Sequence, residues 1–426
     1  MQQIFTKATT FMDKDTIVHS SVFEVSAIPF PQGDEYVSDI ELITMSSTGI
    51  IDAQIANMTL NESCMMLINA IKVFQLGFFD CAFYSLRQTI ELSIGGIYLF
   101  SDKNKIKDWN NGENGFERGH MTKLLLKDEE SAYKDVRNKL EYYFNALRNV
   151  QLEIDKYVHK QGFTTFYTYH GRTSDYQTKH IRKLQCDFER YLNECIGAVA
   201  IYRLVIDPLP LLLTDEDIEM RTPDFITEPF GESFIEKYIP EDVVNAYKQT
   251  EIYKGYYDDL SKREKQNEAV YDLIHWSYIN RVKLEDYSSQ THLLSLHDIL
   301  ALKITFSSPK VTNCYLMNGY SWYHSEIESQ RGKFSITFGN DFFQQFFHDD
   351  NNYNLPFENV FISRCFAFEE THYFEHNEPL VEDEINLIAQ TASELHRVYI
   401  EINKKLEEWY EIQLEKQSST NTAIIL

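Results

Sequence analysis

The clearest hydrophobic pattern in the chain lies at residues 80–100, where apolar side chains recur at intervals of three and four and predict a helix. The members of this stripe are Phe79, Phe83, Leu86, Ile90, Ile94 and Ile97. The opposite side is also largely apolar, so we expect this central helix to be buried nearly all round. Arg87 and Glu91 interrupt it four residues apart, the spacing of an ion pair on one helix face. Because buried charges persist only when they are paired, we expect a further group across the fold to bind them.

Similar stripes on both sides of the central helix predict a helical bundle over residues 47–206. Thr59 and Glu62 have the spacing of a capping box, and we expect them to begin the preceding helix. Residues 101–119 are polar and rich in Gly and Asn, which predicts a loop. An irregular aromatic stretch follows the third helix, and residues 175–206 then predict one long helix that ends before Pro208. The stripe of the third helix comprises Tyr133, Val136, Leu140, Phe144 and Leu147.

The rest of the chain shows a mixed pattern. Residues 1–46 contain β-rich runs and predict a hairpin-like segment, whereas residues 207–287 predict an acidic linker with connecting helices. Asn318-Gly319 between two β-rich runs predicts a hairpin within an α+β domain at 288–380, which the N-terminal segment would complete. Ser288 or Ser289 is predicted to cap the helix near 290–304. Further strands are predicted at 333–338 and 358–368, and a short helix at 340–349.

Residues 381–415 predict a long C-terminal helix, and residues 416–426 a disordered tail. The apolar residues of this helix alternate four and three apart, as in the seam of a coiled coil. They are Ile388, Ala392, Leu395, Tyr399, Ile402, Leu406 and Trp409. The seam either packs on its own domain or pairs with another helix. The fold predicted for the whole chain is therefore mainly helical, with a bundle, a mixed α+β domain and a long last helix.

Composition restricts the classes of function. The chain of 426 residues has 40 basic and 65 acidic side chains, a formal charge of −25, so contacts with nucleic acid would have to be local. Six cysteines without a C-x-x-C pair indicate a reduced protein without a zinc ribbon. The N-terminus lacks the pattern of a signal peptide, and no apolar run has the length of a membrane span. These features predict a cytoplasmic protein without membrane contact.

The segment Asp155-Lys156-Tyr157-Val158-His159-Lys160 and the central LRQTIEL resemble the HEPN superfamily and related bacterial abortive-infection proteins over residues 50–206. In that family a four-helix core carries an apolar second helix with an Arg and a Glu, and a His precedes the last long helix. The resemblance implies a helical bundle that forms dimers through its helices. In active members the site lies where two bundles meet.

Active HEPN proteins resemble metal-independent ribonucleases with an Arg-polar-x-x-x-His motif. The His is a general base for the ribose 2′-hydroxyl, and the Arg stabilises the phosphate. Here Arg148-Asn149 matches the Arg-polar pair and His159 the His, but ten residues intervene, so the chain would have to fold back. In a second arrangement Glu91 holds His159, and Arg87 or Arg148 faces the phosphate. Alternatively, His159 only hydrogen-bonds Glu91 to satisfy the buried pair. The candidate RNA-binding residues are Lys156, Lys160, Tyr169 and Arg172.

Other motifs point to weaker candidates. His372-x-x-Glu375-His376 matches the H-x-x-E-H string of inverzincin proteases, but the surrounding sequence predicts a strand rather than the helix this chemistry needs. His292 and His297 are five apart, a poor spacing for one helix face. Phosphate-binding glycine motifs are absent from the sequence. We therefore expect no cofactor and no metal.

Two functions remain open from the sequence. One is a HEPN-like effector of a bacterial stress or anti-phage defence system that acts as a metal-independent ribonuclease. The other is a non-catalytic interaction or sensor subunit of a multi-protein defence complex. Either function is compatible with a homodimer or with a partner protein from the same system.

Overall fold

The structure, a computed structural model, describes residues 27–112, 117–129, 131–166, 174–331, 342–343 and 353–422. The chain divides into a helical unit that ends at Arg263 and a sheet-containing unit that begins at Glu264. Over the described residues the protein is mainly helical, with one mixed six-stranded sheet and a long C-terminal helix. In the same residues no helix combines the length and the apolar character needed to cross a membrane.

The helical unit contains the predicted bundle and the helices that follow it up to residue 263, which therefore belong to this unit rather than to a linker. Its α-helices are α1 (Gly33–Met45), α2 (Gln54–Gln75), α3 (Phe79–Ser101), α4 (Lys103–Asn110), α5 (Arg118–Lys127), α6 (Ala132–Lys139), α7 (Glu141–Val158), α8 (Ser174–Leu204), α9 (Leu209–Leu212), α10 (Glu216–Glu219), α11 (Glu232–Tyr238), α12 (Glu241–Tyr247) and α13 (Glu251–Leu260).

The predicted central helix is α3, which contacts α2, α7 and α8. Its stripe is buried as predicted, with Phe83 and Leu86 wholly inaccessible to solvent. The helices α2 and α3 come close together at Gly96, where a Cβ atom would collide with Thr59 Oγ1. Glycine at this position allows the close approach. The structure thus confirms that the apolar pattern of residues 79–97 forms the centre of a helical core.

Three predictions about the first half of the helical unit are wrong. Residues 33–45 form α1 instead of a strand, because Tyr36, Ile40 and Ile43 follow helical spacing and are all buried on one side. Residues 16–26 of the predicted hairpin lie outside the described residues. Thr59 is inside α2 and does not cap it; its hydroxyl donates to the carbonyls of the preceding turn. Part of the predicted loop at 101–119 is α4, which begins because Asp102 caps it by accepting from Asn104 N.

The third predicted helix is two helices, since the backbone changes direction at Leu140 (φ −105°, ψ 30°). The side chains of its predicted stripe are nevertheless all buried. The second of these helices, α7, continues to Val158, so residues 154–158 of the stretch predicted to be irregular are helical. The long helix predicted at 175–206 is confirmed as α8, Ser174–Leu204.

The sheet-containing unit packs helices against the sheet, and its core begins before residue 288, the predicted domain boundary. The six strands follow the order β1-β3-β2-β6-β5-β4, with β1 and β3 parallel and the other neighbours antiparallel. Its elements are α14 (Glu268–Trp276), β1 (Tyr278–Ile279), α15 (Leu284–Ser289), α16 (Leu296–Ser307), β2 (Val311–Leu316), β3 (Ser321–Ser325), β4 (Leu355–Phe357), β5 (Val360–Ala367), β6 (Glu370–His376) and α17 (Glu382–Thr422).

The predicted hairpin is confirmed as β2 and β3, with Leu316 opposite Ser321. Asn318 (φ 56°) and Gly319 (φ 94°) both adopt the left-handed conformation that such turns require. The strand predicted at 358–368 is β5, whereas 333–338 and most of 340–349 lie outside the described residues. The cap of α16 is Ser295, not Ser288 or Ser289, because Ser295 and Asp298 form a complete capping box.

The two halves of the predicted seam of the C-terminal helix α17 differ in burial. Ile388, Ala392 and Leu395 are buried in the core of their own unit. Farther along, Leu406 and Trp409 are each 56% exposed. The helix continues through residues 416–422, for which the sequence predicts disorder, because no Gly or Pro interrupts it after Glu382. Residues 423–426 lie outside the described part of the chain.

Candidate functional site

Arg87 forms two ion pairs on the side of α3 that faces α7. Its Nε atom lies 3.2 Å from Glu91 Oε1 and 3.3 Å from Asp155 Oδ1. The side chains of Arg87, Glu91 and Asp155 are 34%, 29% and 27% exposed, so the group lies at the margin of the core and is not buried within it. The further group that binds the Arg87–Glu91 pair is therefore Asp155, the first residue of the segment 155–160, for which the sequence predicts no role.

His159 follows the last turn of α7 and its side chain is exposed. The helix ends there because Lys160 adopts a left-handed conformation (φ 53°) and Gln161 N donates to Lys156 O at 2.8 Å. Within the described residues, no hydrogen bond or ion pair joins the His159 ring to Glu91. The expectation that His159 binds the Arg87–Glu91 pair is wrong, because the imidazole lies at the helix end in contact with solvent.

Arg148 lies on α7, eleven positions before His159, which directly follows the helix, and Arg148 is also exposed. Eleven residues are close to three helical turns, so the two side chains share a face but are about 16 Å apart along the axis. Residues 148–158 contain no loop that could fold back and join them. Within one chain, the structure therefore does not bring this Arg and this His together.

The two lysines of the predicted RNA site are paired with carboxylates. The Lys160 ammonium forms an ion pair with Asp80 in the first turn of α3. Lys156 Nζ lies 2.6 Å from Glu153 Oε1 on α7. The aromatic and basic candidates Tyr169 and Arg172 lie outside the described residues.

The predicted site has little net charge. Its described cations are Arg87, Arg148, Lys156 and Lys160, and the acidic partners are Asp80, Glu91, Glu153 and Asp155. Four positive and four negative formal charges cancel. A phosphate group would therefore have to compete with carboxylates that already bind three of the four cations.

The H-x-x-E-H string lies on strand β6, as the sequence context predicts, and not on a helix. Alternation along the strand places Glu375 on the face opposite His372 and His376. Glu375 pairs with Arg331 at 3.2 Å, and His376 Nε2 lies 2.8 Å from Ser363 Oγ. The arrangement of an inverzincin is therefore excluded.

Two histidines from separate sequence motifs, His297 and His372, lie close together in the structure. His292 is exposed and hydrogen-bonds Glu264 at 2.8 Å. His297, in the first turn of α16, lies beside Glu370 and His372 of β6, and one donor atom from each of the three lies within 4.8 Å of the others. Neither motif alone indicates this cluster, because His297 and His372 come from separate motifs and Glu370 belongs to neither. Within the described residues, His297, Glu370 and His372 are the one group of donor side chains placed closely enough to hold a metal ion.

Burial changes the protonation of the histidines on β6. It lowers the pKa of His372 to about 4, although the hydrogen bond to the Ala367 carbonyl acts in the opposite direction. Burial likewise lowers the pKa of His376 to about 4. Both imidazoles are therefore neutral near pH 7, the form that binds metal ions.

Comparisons with known proteins add no relative. No family model matches the chain, and neither a curated protein nor a solved structure matches it.

Proposed function

We propose that the chain is a HEPN-like, non-catalytic interaction or sensor subunit of a multi-protein bacterial defence complex. The observation that carries this proposal is the pairing of Arg87, Lys156 and Lys160 with carboxylates at the position where an HEPN nuclease would bind RNA. The family part of the proposal rests on the helix order, with α3 in contact with α2, α7 and α8, and on the sequence resemblance.

Electrostatics supports an interaction role over RNA cleavage. Nucleic-acid affinity comes mainly from cations that neutralise phosphates and release counterions. The chain as a whole carries −25, and among the described residues of the predicted site the four cations are balanced by four carboxylates. The net negative charge of the chain would therefore repel RNA at long range. At short range, the cations of the site are already paired with carboxylates.

The exposed half of the α17 seam supports self-association as the form of the interaction. Ile402, Leu406 and Trp409 continue the four-three spacing of the buried Ile388, Ala392 and Leu395, and they are 42%, 56% and 56% exposed. A repeat of 3.5 residues fits another helix that packs knobs into holes. Since the seam is self-complementary, the proposed occupant is the same helix of a second copy.

Light scattering of the full chain tests this dimer. The expected mass at micromolar concentration is about twice the 50.2 kDa of one chain. Leu406→Asp is expected to give monomers, because it places a charge within the seam. The matched control Lys404→Ala, which changes a residue beside the seam on the same helix, is expected to remain dimeric. A wild-type monomer contradicts the dimer, and a Leu406→Asp dimer assigns the interface to another surface.

The alternative is a metal-independent ribonuclease, which the exposure of both Arg148 and His159 on one face of α7 favours. In a dimer the Arg of one copy would have to reach the His of the other. Incubation of the chain with RNA and EDTA separates the two functions. We expect no cleavage above the buffer control. Cleavage that His159→Ala abolishes, and that the exposed-histidine control His120→Ala retains, would replace the interaction role with the ribonuclease.

A further inference from the structure

Three donor side chains converge where α16 and β6 come together in the sheet-containing unit. The capping box of Ser295 and Asp298 fixes the start of α16 and with it the position of His297. Glu370 is the first residue of β6, and His372 lies two residues later, so alternation along the strand puts both side chains on one face. The three donors therefore lie on elements of regular secondary structure, which holds a site more firmly than loops do.

Two of the donor atoms lack a hydrogen bond. His297 Nε2 and Glu370 Oε2 are buried and have no hydrogen-bond partner, and they face each other at 3.8 Å. That separation is too long for a hydrogen bond. Two ligands, each about 2.1 Å from a tetrahedral zinc ion, lie roughly 3.4 Å apart, so a small movement would let one ion bind both atoms. An ion between them would remove the cost of leaving two buried polar atoms unsatisfied.

His372 completes the set but must exchange a hydrogen bond to do so. Its Nε2 lies 3.0 Å from Ala367 O, and its Nδ1 accepts from Met317 N at 3.2 Å. Metal binding replaces one of these bonds, and we therefore expect His372 to be the weakest of the three ligands. Retention of the bond to the Ala367 carbonyl would orient the ring as backbone carbonyls commonly orient metal-bound histidines.

The surroundings favour a transition metal over Mg²⁺ or Ca²⁺. The Phe368 ring lies 5.0 Å from the His297 ring and 5.6 Å from the His372 ring, which excludes water from one side. Two nitrogens and one carboxylate oxygen match the ligands of zinc, whereas Mg²⁺ and Ca²⁺ prefer oxygen alone.

We infer that His297, Glu370 and His372 form a Zn²⁺-binding site that stabilises the junction of α16 with β6. Three protein ligands leave the fourth position of a tetrahedral ion for water. The site does not depend on the interaction role proposed above, since it uses neither the ion-paired residues of the helical unit nor the exposed seam residues of α17.

Zinc titration of the untagged, EDTA-treated full chain in competition with a chromophoric chelator tests the site. The expected result for the wild type is one Zn²⁺ per chain. Glu370→Gln, which keeps the shape of the side chain, and His297→Asn are expected to lower zinc affinity at least 100-fold. His292→Asn is the matched control, because His292 is exposed on the same segment and outside the cluster. It is expected to bind zinc as the wild type does.

A second measurement needs no variant. Hydrogen exchange of the wild type with and without Zn²⁺ should show added protection in peptides that cover residues 295–299 and 367–373. Cobalt substitution should give the visible absorption of a tetrahedral site, and Glu370→Gln should lose it. Failure of the wild type to bind zinc, equal binding by Glu370→Gln and wild type, or unchanged exchange at both peptides would each overturn the site.

Discussion

Two Arg–carboxylate pairs of the helical unit share the same i,i+4 spacing but differ completely in burial. Arg203 and Asp207, at the end of α8, are both 0% exposed. Arg87 and Glu91, in the middle of α3, are each about one-third exposed. The sequence predicts burial for the second pair, whereas no prediction was attached to the first. Spacing on a helix therefore indicates which charges can pair, but not whether solvent reaches them.

The buried pair differs from the exposed one in its backbone partners. Arg203 Nε donates to Ser46 O at 2.6 Å, and Nη1 donates to Asp207 O at 3.2 Å. Asp207 Oδ1 also accepts from Leu209 N at 3.1 Å, where the chain turns after α8. These bonds tie together α8, the segment after α1 and the turn at 207–209. Arg87, by contrast, binds the side chains of Glu91 and Asp155 in the ion pairs described above.

The largest expected effect is that of Arg203→Ala. Removal of the guanidinium leaves Asp207 buried without its counter-charge, and such losses cost about 3–5 kcal/mol. Urea denaturation monitored by hydrogen exchange in peptides of the helical unit measures the change in free energy of unfolding. A loss below about 1 kcal/mol would show that the buried Arg203–Asp207 pair contributes no more to stability than an exposed ion pair does.

The double variant Arg203→Met, Asp207→Leu is the matched control. Replacing a buried ion pair with apolar groups of similar volume is often neutral or stabilising. We expect the double variant to recover most of the stability that the single change loses. It should remain about 1 kcal/mol less stable than the wild type, because the hydrogen bond to Ser46 O is lost. Equal losses in the single and double variants would attribute the cost to packing rather than to an unpaired charge.

His376 offers a third case beside the two ion pairs, because it is a buried titratable group that stays neutral instead of forming an ion pair. Burial, together with the nearby charge of Lys310, lowers its pKa to about 4, although the Glu378 carbonyl and Glu384 act in the opposite direction. Between pH 6.5 and 4 the unfolded chain binds the proton and the folded chain does not, so stability falls as pH falls through this window. The slope is about 1.4 kcal/mol per pH unit and the total roughly 3 kcal/mol.

Denaturation of the sheet-containing unit in EDTA at several pH values between 7 and 4.5 measures this slope. His376→Gln is expected to be less dependent on pH than the wild type by about that amount. His159→Gln, which removes an exposed imidazole from the other unit of the chain, is the matched control for the substitution itself. Parallel pH profiles for wild type and His376→Gln would contradict the proposed cause.

The sequence predicted those parts of the fold in which one local pattern decides the outcome. The stripe of α3, the long helix α8 and the hairpin at Asn318-Gly319 each follow from periodicity or turn chemistry within a few residues. Errors arose where tertiary contacts decided between alternatives. Residues 33–45 are rich in β-favouring side chains, yet α1 forms because its buried face packs on α2.

The candidate sites were less accessible to sequence analysis, because their geometry depends on long-range contacts. Asp155 approaches Arg87 from another helix, 68 positions later in the chain. His297 meets Glu370 across 73 positions. In both cases the sequence contains the chemical groups, but only the packing of α3 on α7 and of α16 beside β6 brings them together.

The smallest expected effect is that of Arg87→Gln. Its pairs with Glu91 and Asp155 are reached by solvent, and exposed ion pairs typically contribute 0–1 kcal/mol. We expect a loss below about 1 kcal/mol in urea denaturation, and a smaller loss at 1 M salt because screening weakens the wild-type pairs. A loss as large as that of Arg203→Ala would mean that exposure does not separate the two pairs. With the expected small loss, Arg87→Gln remains folded, and a change in its RNA or partner binding can then be assigned to the site itself.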